Sequence, residues 1–194
     1  YPDKKRKGAI VRKTLGQLVQ KRAISPKQGA LLFKIVNYFK PVHILQIGTN
    51  MGLSTLYLTS YASGLQCIAL ESNPAFASVA RETFKQARNP IDLREGDYTD
   101  LLPKALEDME AVDFVYFNMQ DDDICCSSLF NKCVEQTHQN SVFVFKGIKS
   151  SSKMRIAWKE ICSHPKVTVT MDLYALGIVF FNDKLHKRNY ITYY

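Results

Sequence analysis

No apolar run in this chain approaches the roughly 18 residues that a bilayer-spanning helix needs, and no signal peptide is visible at the N-terminus. The chain opens on Tyr1 rather than Met, which leaves a preceding segment an open matter. There is no C-x-x-C pair. The five cysteines (67, 125, 126, 133 and 162) are odd in number, and each sits in an apolar run or a helical pattern. That argues against a disulfide framework or thiolate metal site and for buried thiols in a reducing cytosol. The four histidines (43, 138, 164 and 186) have no ligand spacing and read as structural or surface residues. Repeats and low-complexity tracts are absent. So is the G-x-G-x-x-G of nicotinamide-dependent oxidoreductases. The expectation is one cytoplasmic domain without membrane contact.

Acidic residues are nearly missing from the front of the chain. Residues 1–40 hold 11 Lys/Arg against Asp3 alone, a net +10, while residues 41–194 sum to −2. The basic character belongs to an N-terminal arm. Lys4-Lys5-Arg6-Lys7 suits contact with nucleic acid or an anionic surface, but a solvated terminus explains it more simply. With 46% hydrophobic residues over 194 positions, the chain is long enough for one domain that buries about 70% of its unfolded surface.

The pattern centres on residues 44–54. The apolar run Ile44-Leu45-Gln46-Ile47 ends on Gly48, then Thr49-Asn50-Met51 lead to Gly52, Leu53 and Ser54. Such a strand–turn–helix junction points backbone N–H groups into the crevice above a parallel sheet. Gly48 permits a tight turn, and Gly52 lets a ligand or a helix come close. A second apolar run, Ile68-Ala69-Leu70, ends on Glu71, 19 residues past Gly52. An acid at about that distance meets ribose hydroxyls in nucleotide-binding α/β folds. Together they suggest an adenosine site.

Around this centre the chain alternates. Two helices come first: residues 9–22, with Val11, Leu15, Leu18 and Val19 in helical period, and a helix after Ser25-Pro26 that reaches about Phe39. The second carries Leu31, Leu32, Ile35, Val36 and Phe39, too apolar to be left in solvent. It is expected to cover the crevice or form a homodimer contact. Strands follow at 42–47, 65–70, 91–95, 112–117 and 141–145, with helices between, then closing strands at 167–173 and 177–181. The link between the last two is only about three residues, so they are antiparallel neighbours. The fold class is α/β, a mostly parallel sheet of seven strands with helices on both faces and an antiparallel closing pair. Residues 1–40 form a basic helical arm or lid on the α/β body of 41–194.

This pattern resembles the class I S-adenosylmethionine-dependent methyltransferases over about residues 40–183, and its I-G-T-x-x-G-L-S-T and A-L-E phrasing is most similar to the O-methyltransferase-like branch. The resemblance implies a three-layer Rossmann-like fold with strand order 3-2-1-4-5-7-6 and antiparallel strand 7, and S-adenosylmethionine as cofactor. It implies contacts from Gln46, Gly48, Thr49, Asn50, Gly52, Ser54, Glu71, Ser72, Asp97, Tyr98 and Asn118, with Glu71 on the ribose and Asp97-Tyr98 by the adenine. Taken by itself, Asp97 also reads as a helix cap.

The chain departs from the pattern at three points. The acid often found two residues before the first glycine is Gln46. In the metal-dependent branch, acids ending strands 4 and 5 hold a divalent cation; here those ends are Phe117-Asn118 and Phe145-Lys146. Asn118 offers one oxygen and Lys146 a cation, so no metal is expected. Asp121-Asp122-Asp123 read as helix-start charge. Lys146 is the candidate catalytic residue, either contacting an acidic substrate or acting as a base after burial; the alternative is an exposed strand-end lysine. Trp158 reads as core, and Tyr190, Tyr193 and Tyr194 as a loose tail.

The function expected is metal-independent methyl transfer to a small molecule whose identity is open. The alternatives are a cofactor-binding protein that has lost turnover and a nucleic-acid methyltransferase using the basic arm. The third is disfavoured by the absence of an Asn-Pro-Pro-Tyr-type signature.

Overall fold

The computed structural model describes residues 23–119 and 126–193. Helix 9–22, Lys4–Lys7, Asp121–Asp123 and Tyr194 lie outside the described residues. In chain order the elements are α1 (Pro26–Phe39), β1 (His43–Ile47), α2 (Leu53–Thr59), β2 (Gln66–Glu71), α3 (Pro74–Phe84), β3 (Asp92–Glu95), α4 (Tyr98–Glu107) and β4 (Phe114–Phe117). They continue with α5 (Cys126–Val134), β5 (Val142–Lys146), α6 (Ser152–Ser163), β6 (Val169–Asp172), β7 (Leu176–Phe180) and β8 (Arg188–Ile191).

One sheet holds eight strands in the order β3-β2-β1-β4-β5-β7-β6-β8. Strands β1 to β5 run parallel, and β7 is antiparallel to both β5 and β6. The seven-strand order and antiparallel β7 are as expected. The eighth strand is a correction: Tyr190, expected in a loose tail, lies in residues 188–191, which pair parallel with β6. Thr170 Oγ1 donates to Asn189 Oδ1 at 2.7 Å across that pair. All four β8 residues are exposed, so no apolar alternation announced the strand.

Alternation along the strands divides the core. Leu45, Ile47, Val115, Phe117, Phe143 and Phe145 face α4, α5 and α6. Ile44, Phe114, Tyr116, Val142 and Val144 face the other way and share a cluster with Leu58 of α2 and with Leu32, Ile35 and Val36 of α1. Helix α1 is therefore part of the core. It starts at an N-cap Ser25 whose hydroxyl accepts from Gln28 N–H, with Pro26 in the first turn. Trp158 lies in the core, over Gly177, where an added Cβ would meet its ring at 2.5 Å.

At the opposite edge from the crevice, the Asp113 carboxylate accepts from Val42 N–H (2.7 Å), His43 N–H (2.8 Å) and His138 Nε2 (2.8 Å). This joins the starts of β1 and β4. No described helix is long and apolar enough to cross a membrane.

Candidate functional site

The parallel strands end on one edge, and the chain there is fastened by backbone bonds. Gly48 and Thr49 both donate to Leu70 O, at 2.9 and 3.0 Å, and Asn118 N–H donates to Ile47 O at 2.8 Å. Gly48 has φ 82, and a Cβ on it would meet Asn118 O at 2.8 Å. Only glycine fits that turn. Gly52, at φ 83, faces the ring of Phe84 at 2.7 Å from a built Cβ. Its missing side chain serves the approach of α3.

Glu71 ends β2 and is 3% exposed. Its Oε2 accepts from Asn50 N–H at 2.6 Å and its Oε1 from Asn73 N–H at 2.9 Å. These two bonds orient the carboxylate beside the glycine loop. Asn50 sits in the left-handed region (φ 51), a conformation asparagine tolerates. Its side-chain amide donates to Gly48 O and Asn118 O. Ser72 lies in the link to α3, half-buried.

Gln46 is fully buried under the loop. Its Nε2 donates to Gly48 O (3.2 Å) and Ser54 Oγ (2.8 Å), and its Oε1 accepts from Thr55 Oγ1 (2.9 Å). Thr55 spends its one proton on Gln46, so Thr49 donates across the 2.8 Å contact between the two threonine hydroxyls. Both amide protons of Gln46 are thus used within the protein. Thr55 was not anticipated. Its signal was a polar pair, Ser54-Thr55, in the first turn of α2.

Asn118 closes the wall on the β4 side. It is 2% exposed, and its Oδ1 is buried without a hydrogen-bond partner. Two residues back on the same face, the Tyr116 hydroxyl is also buried and unpartnered, and burial pushes its pKa up. The register that pairs Phe117 with Phe145 sets Asn118 beside Lys146. Burial lowers the Lys146 pKa below the ordinary lysine range. Ala23 and Ile24, just ahead of α1, line the crevice with Thr49, Asn50, Met51 and Asn118.

Asp97 and Tyr98 follow β3. Asp97 caps α4, accepting from the Thr99 hydroxyl at 2.6 Å and Thr99 N–H at 2.7 Å, and these two bonds lower its pKa. The Tyr98 ring is 3% exposed and belongs to the core. The structure therefore brings Gln46, Gly48, Thr49, Asn50, Ser54, Glu71 and Asn118 around one loop, with Lys146 next to Asn118. Asp97 stands at its own helix start, and Gly52 against α3. Among the described residues no group of three His, Cys, Asp or Glu is placed to hold a metal ion.

The chain is similar to catechol O-methyltransferase B of Danio rerio, with 29% identity over 100 residues, covering 49% of this chain and 38% of the relative. A catechol O-methyltransferase of Niastella koreensis shows 29% identity over 89 residues, covering 44% of this chain and 40% of the relative. The chain thus spans about two fifths of the length of these curated relatives. Among solved structures, an O-methyltransferase from Bacillus cereus in complex with SAH superposes with a TM-score of 0.69 at 20% identity, covering 88% of this chain and 93% of that one. TomG, an O-methyltransferase of Streptomyces achromogenes in complex with SAM, gives 0.70 at 19% identity, covering 83% and 82%. At these identities the structural likeness is one of fold. The sequence model of the O-methyltransferase family matches residues 4–151, and the chain belongs to that family.

Proposed function

We propose that this chain binds S-adenosylmethionine and directs its methyl group to an oxygen of a small acidic molecule without a metal ion. The observation that carries the reading is Glu71, a buried carboxylate aimed by two backbone N–H groups beside a glycine turn. A carboxylate has about four acceptor sites. The paired hydroxyls of a ribose are donors that such a carboxylate recognises through charge-assisted hydrogen bonds. The buried, unpartnered Asn118 Oδ1 supports the same crevice as a polar ligand site, since an acceptor left there without a donor costs about 1–3 kcal/mol. Ser54 accepts from Gln46, so its own proton can go to a ligand.

S-adenosylmethionine, when bound, supplies an electrophilic methyl carbon on a sulfonium. The protein's task is then alignment and proton handling. Lys146 is placed for the second. Its lowered pKa puts more neutral amine at a given pH, able to take an acceptor hydroxyl's proton at Nζ; in its charged form it holds an anionic substituent. A cation beside Asn118 also opposes a divalent ion there.

A second reading, a cofactor-binding protein without turnover, is favoured by the same strand ends, which carry Asn118 and Lys146 where the metal-dependent branch has acids. A screen of phenolic and carboxylic acceptors with labelled cofactor, with and without EDTA, separates the readings. The expected result is transfer that EDTA leaves unchanged. Magnesium-dependent transfer abolished by EDTA contradicts the proposal. Silence with tight cofactor binding moves the conclusion to the second reading.

A further inference from the structure

Three described non-glycine residues have positive φ: Lys40, Asn50 and Tyr174. Lys40 is a helix C-cap, where the left-handed conformation is common, and asparagine tolerates it. Tyr174 has neither reason. It sits at φ 68 in the turn between β6 and β7, and Ala175 N–H donates to Leu173 O at 2.8 Å. A bond spanning three residues about a positive φ is the rarer, strained γ-turn. Glycine would adopt it at less cost. Burial does not offset the strain, because Tyr174 is 60% exposed.

The ring is nevertheless held. Lys149 Nζ lies 4.8 Å from its centroid and 3.0 Å from Asp172 Oδ2, while Asp172 Oδ1 accepts from Tyr174 N–H at 2.8 Å. The Tyr193 ring stands 6.5 Å away at 32° and is 85% exposed. Thr192 N–H, donating to Asp172 O at 2.9 Å, fixes the backbone beside it. Two exposed rings and an anchored cation therefore form one surface.

That surface opens on the crevice edge. Because β7 is antiparallel to β5 and β6, and β8 is parallel to β6, the turn and the end of β8 lie on the same side as Lys146. Gly147 N–H donates to Ala175 O at 2.7 Å, and Lys146 pairs with Leu176. Strand spacings of about 4.8 Å put the rings roughly 10–15 Å along the edge from Lys146.

We propose that Tyr174 and Tyr193 form a shelf for the distal, planar part of the methyl acceptor, with Lys149 facing an acidic group on it. The acceptor class is then an elongated aromatic acid whose hydroxyl reaches Lys146. This rests on the methyl-transfer reading above. Aromatic contact, ring on ring and cation on ring, gives the shelf its preference for planar molecules.

The test is calorimetry with S-adenosylhomocysteine saturating, using 4′-hydroxybiphenyl-4-carboxylate and its fully saturated bicyclohexyl counterpart. Native protein is expected to favour the aromatic compound by roughly three- to tenfold. Tyr174→Gly should erase that preference while S-adenosylhomocysteine affinity holds and the thermal midpoint stays level or rises. Tyr174→Phe should keep the preference, and Lys149→Met should weaken the aromatic acid. Equal affinity of native protein for the two compounds, or a preference that survives Tyr174→Gly, overturns the shelf and leaves the methyl-transfer reading standing. Failure of native protein to bind S-adenosylhomocysteine overturns that reading, and the shelf with it.

Discussion

At the scale of the residue, the two loop glycines separate by what their missing side chains would strike. At Gly48 the obstacle is backbone, Asn118 O at 2.8 Å; at Gly52 it is the ring of Phe84 at 2.7 Å. A strand end cannot yield, but a side chain can be shortened. Gly48→Ala is expected to cost about 2–4 kcal/mol, the left-handed strain and the clash adding. Gly52→Ala combined with Phe84→Leu should recover part of the single variant's loss, and no side-chain truncation near Gly48 should do the same. Denaturant unfolding of the three variants checks this. Equal behaviour of the two glycines would mean that φ alone sets the cost. The same scale explains Gln46. With both amide protons committed to Gly48 O and Ser54 Oγ, it stabilises the loop from beneath.

At the scale of elements, the edge opposite the crevice is tied by Asp113, which joins β1 to β4 and reaches His138 beyond α5. Burial alone would raise the Asp113 pKa, but the His43 N–H, the His138 ring and the Val42 N–H together hold it below the ordinary value. Its folded pKa is therefore lower than its unfolded one, near 3.9. The stabilisation is present above that unfolded value and is lost as pH falls through the folded one. Asp113→Asn should cost about 2 kcal/mol at pH 7, and the gap from native protein should close progressively below about pH 4. Unfolding midpoints measured from pH 7 to pH 2.5 give the result, and a gap constant with pH would assign the effect to shape rather than charge. Helix α1 belongs to this scale too, since Leu32 and Val36 are fully buried in a cluster with Ile44 and Phe114.

At the scale of the whole molecule, the seven strands were legible because apolar or alternating runs interleave with helical periods, and a three-residue link forces the last pair antiparallel. Their order came with the family resemblance, and the sheet has it. Strand β8 was not legible. Arg188-Asn189-Tyr190-Ile191 buries nothing and is held by backbone pairing to β6, for which side-chain pattern gives no signal. The loop and Glu71 could be read from spacing, but the partners of Gln46 could not, since they come from the next helix. The family resemblance puts Asp97 and Tyr98 by the adenine; that the Tyr98 ring packs in the core could not be read from its place in the sequence. The central claim is a cofactor site built on Glu71. Calorimetric titration with S-adenosylhomocysteine, native protein against Glu71→Gln and Glu71→Ala, tests it most directly. Binding should be measurable in native protein and weaker by about 1.5–3 kcal/mol in Glu71→Ala, the loss expected when charge-assisted hydrogen bonds are removed. Unchanged affinity in both folded variants would contradict the account.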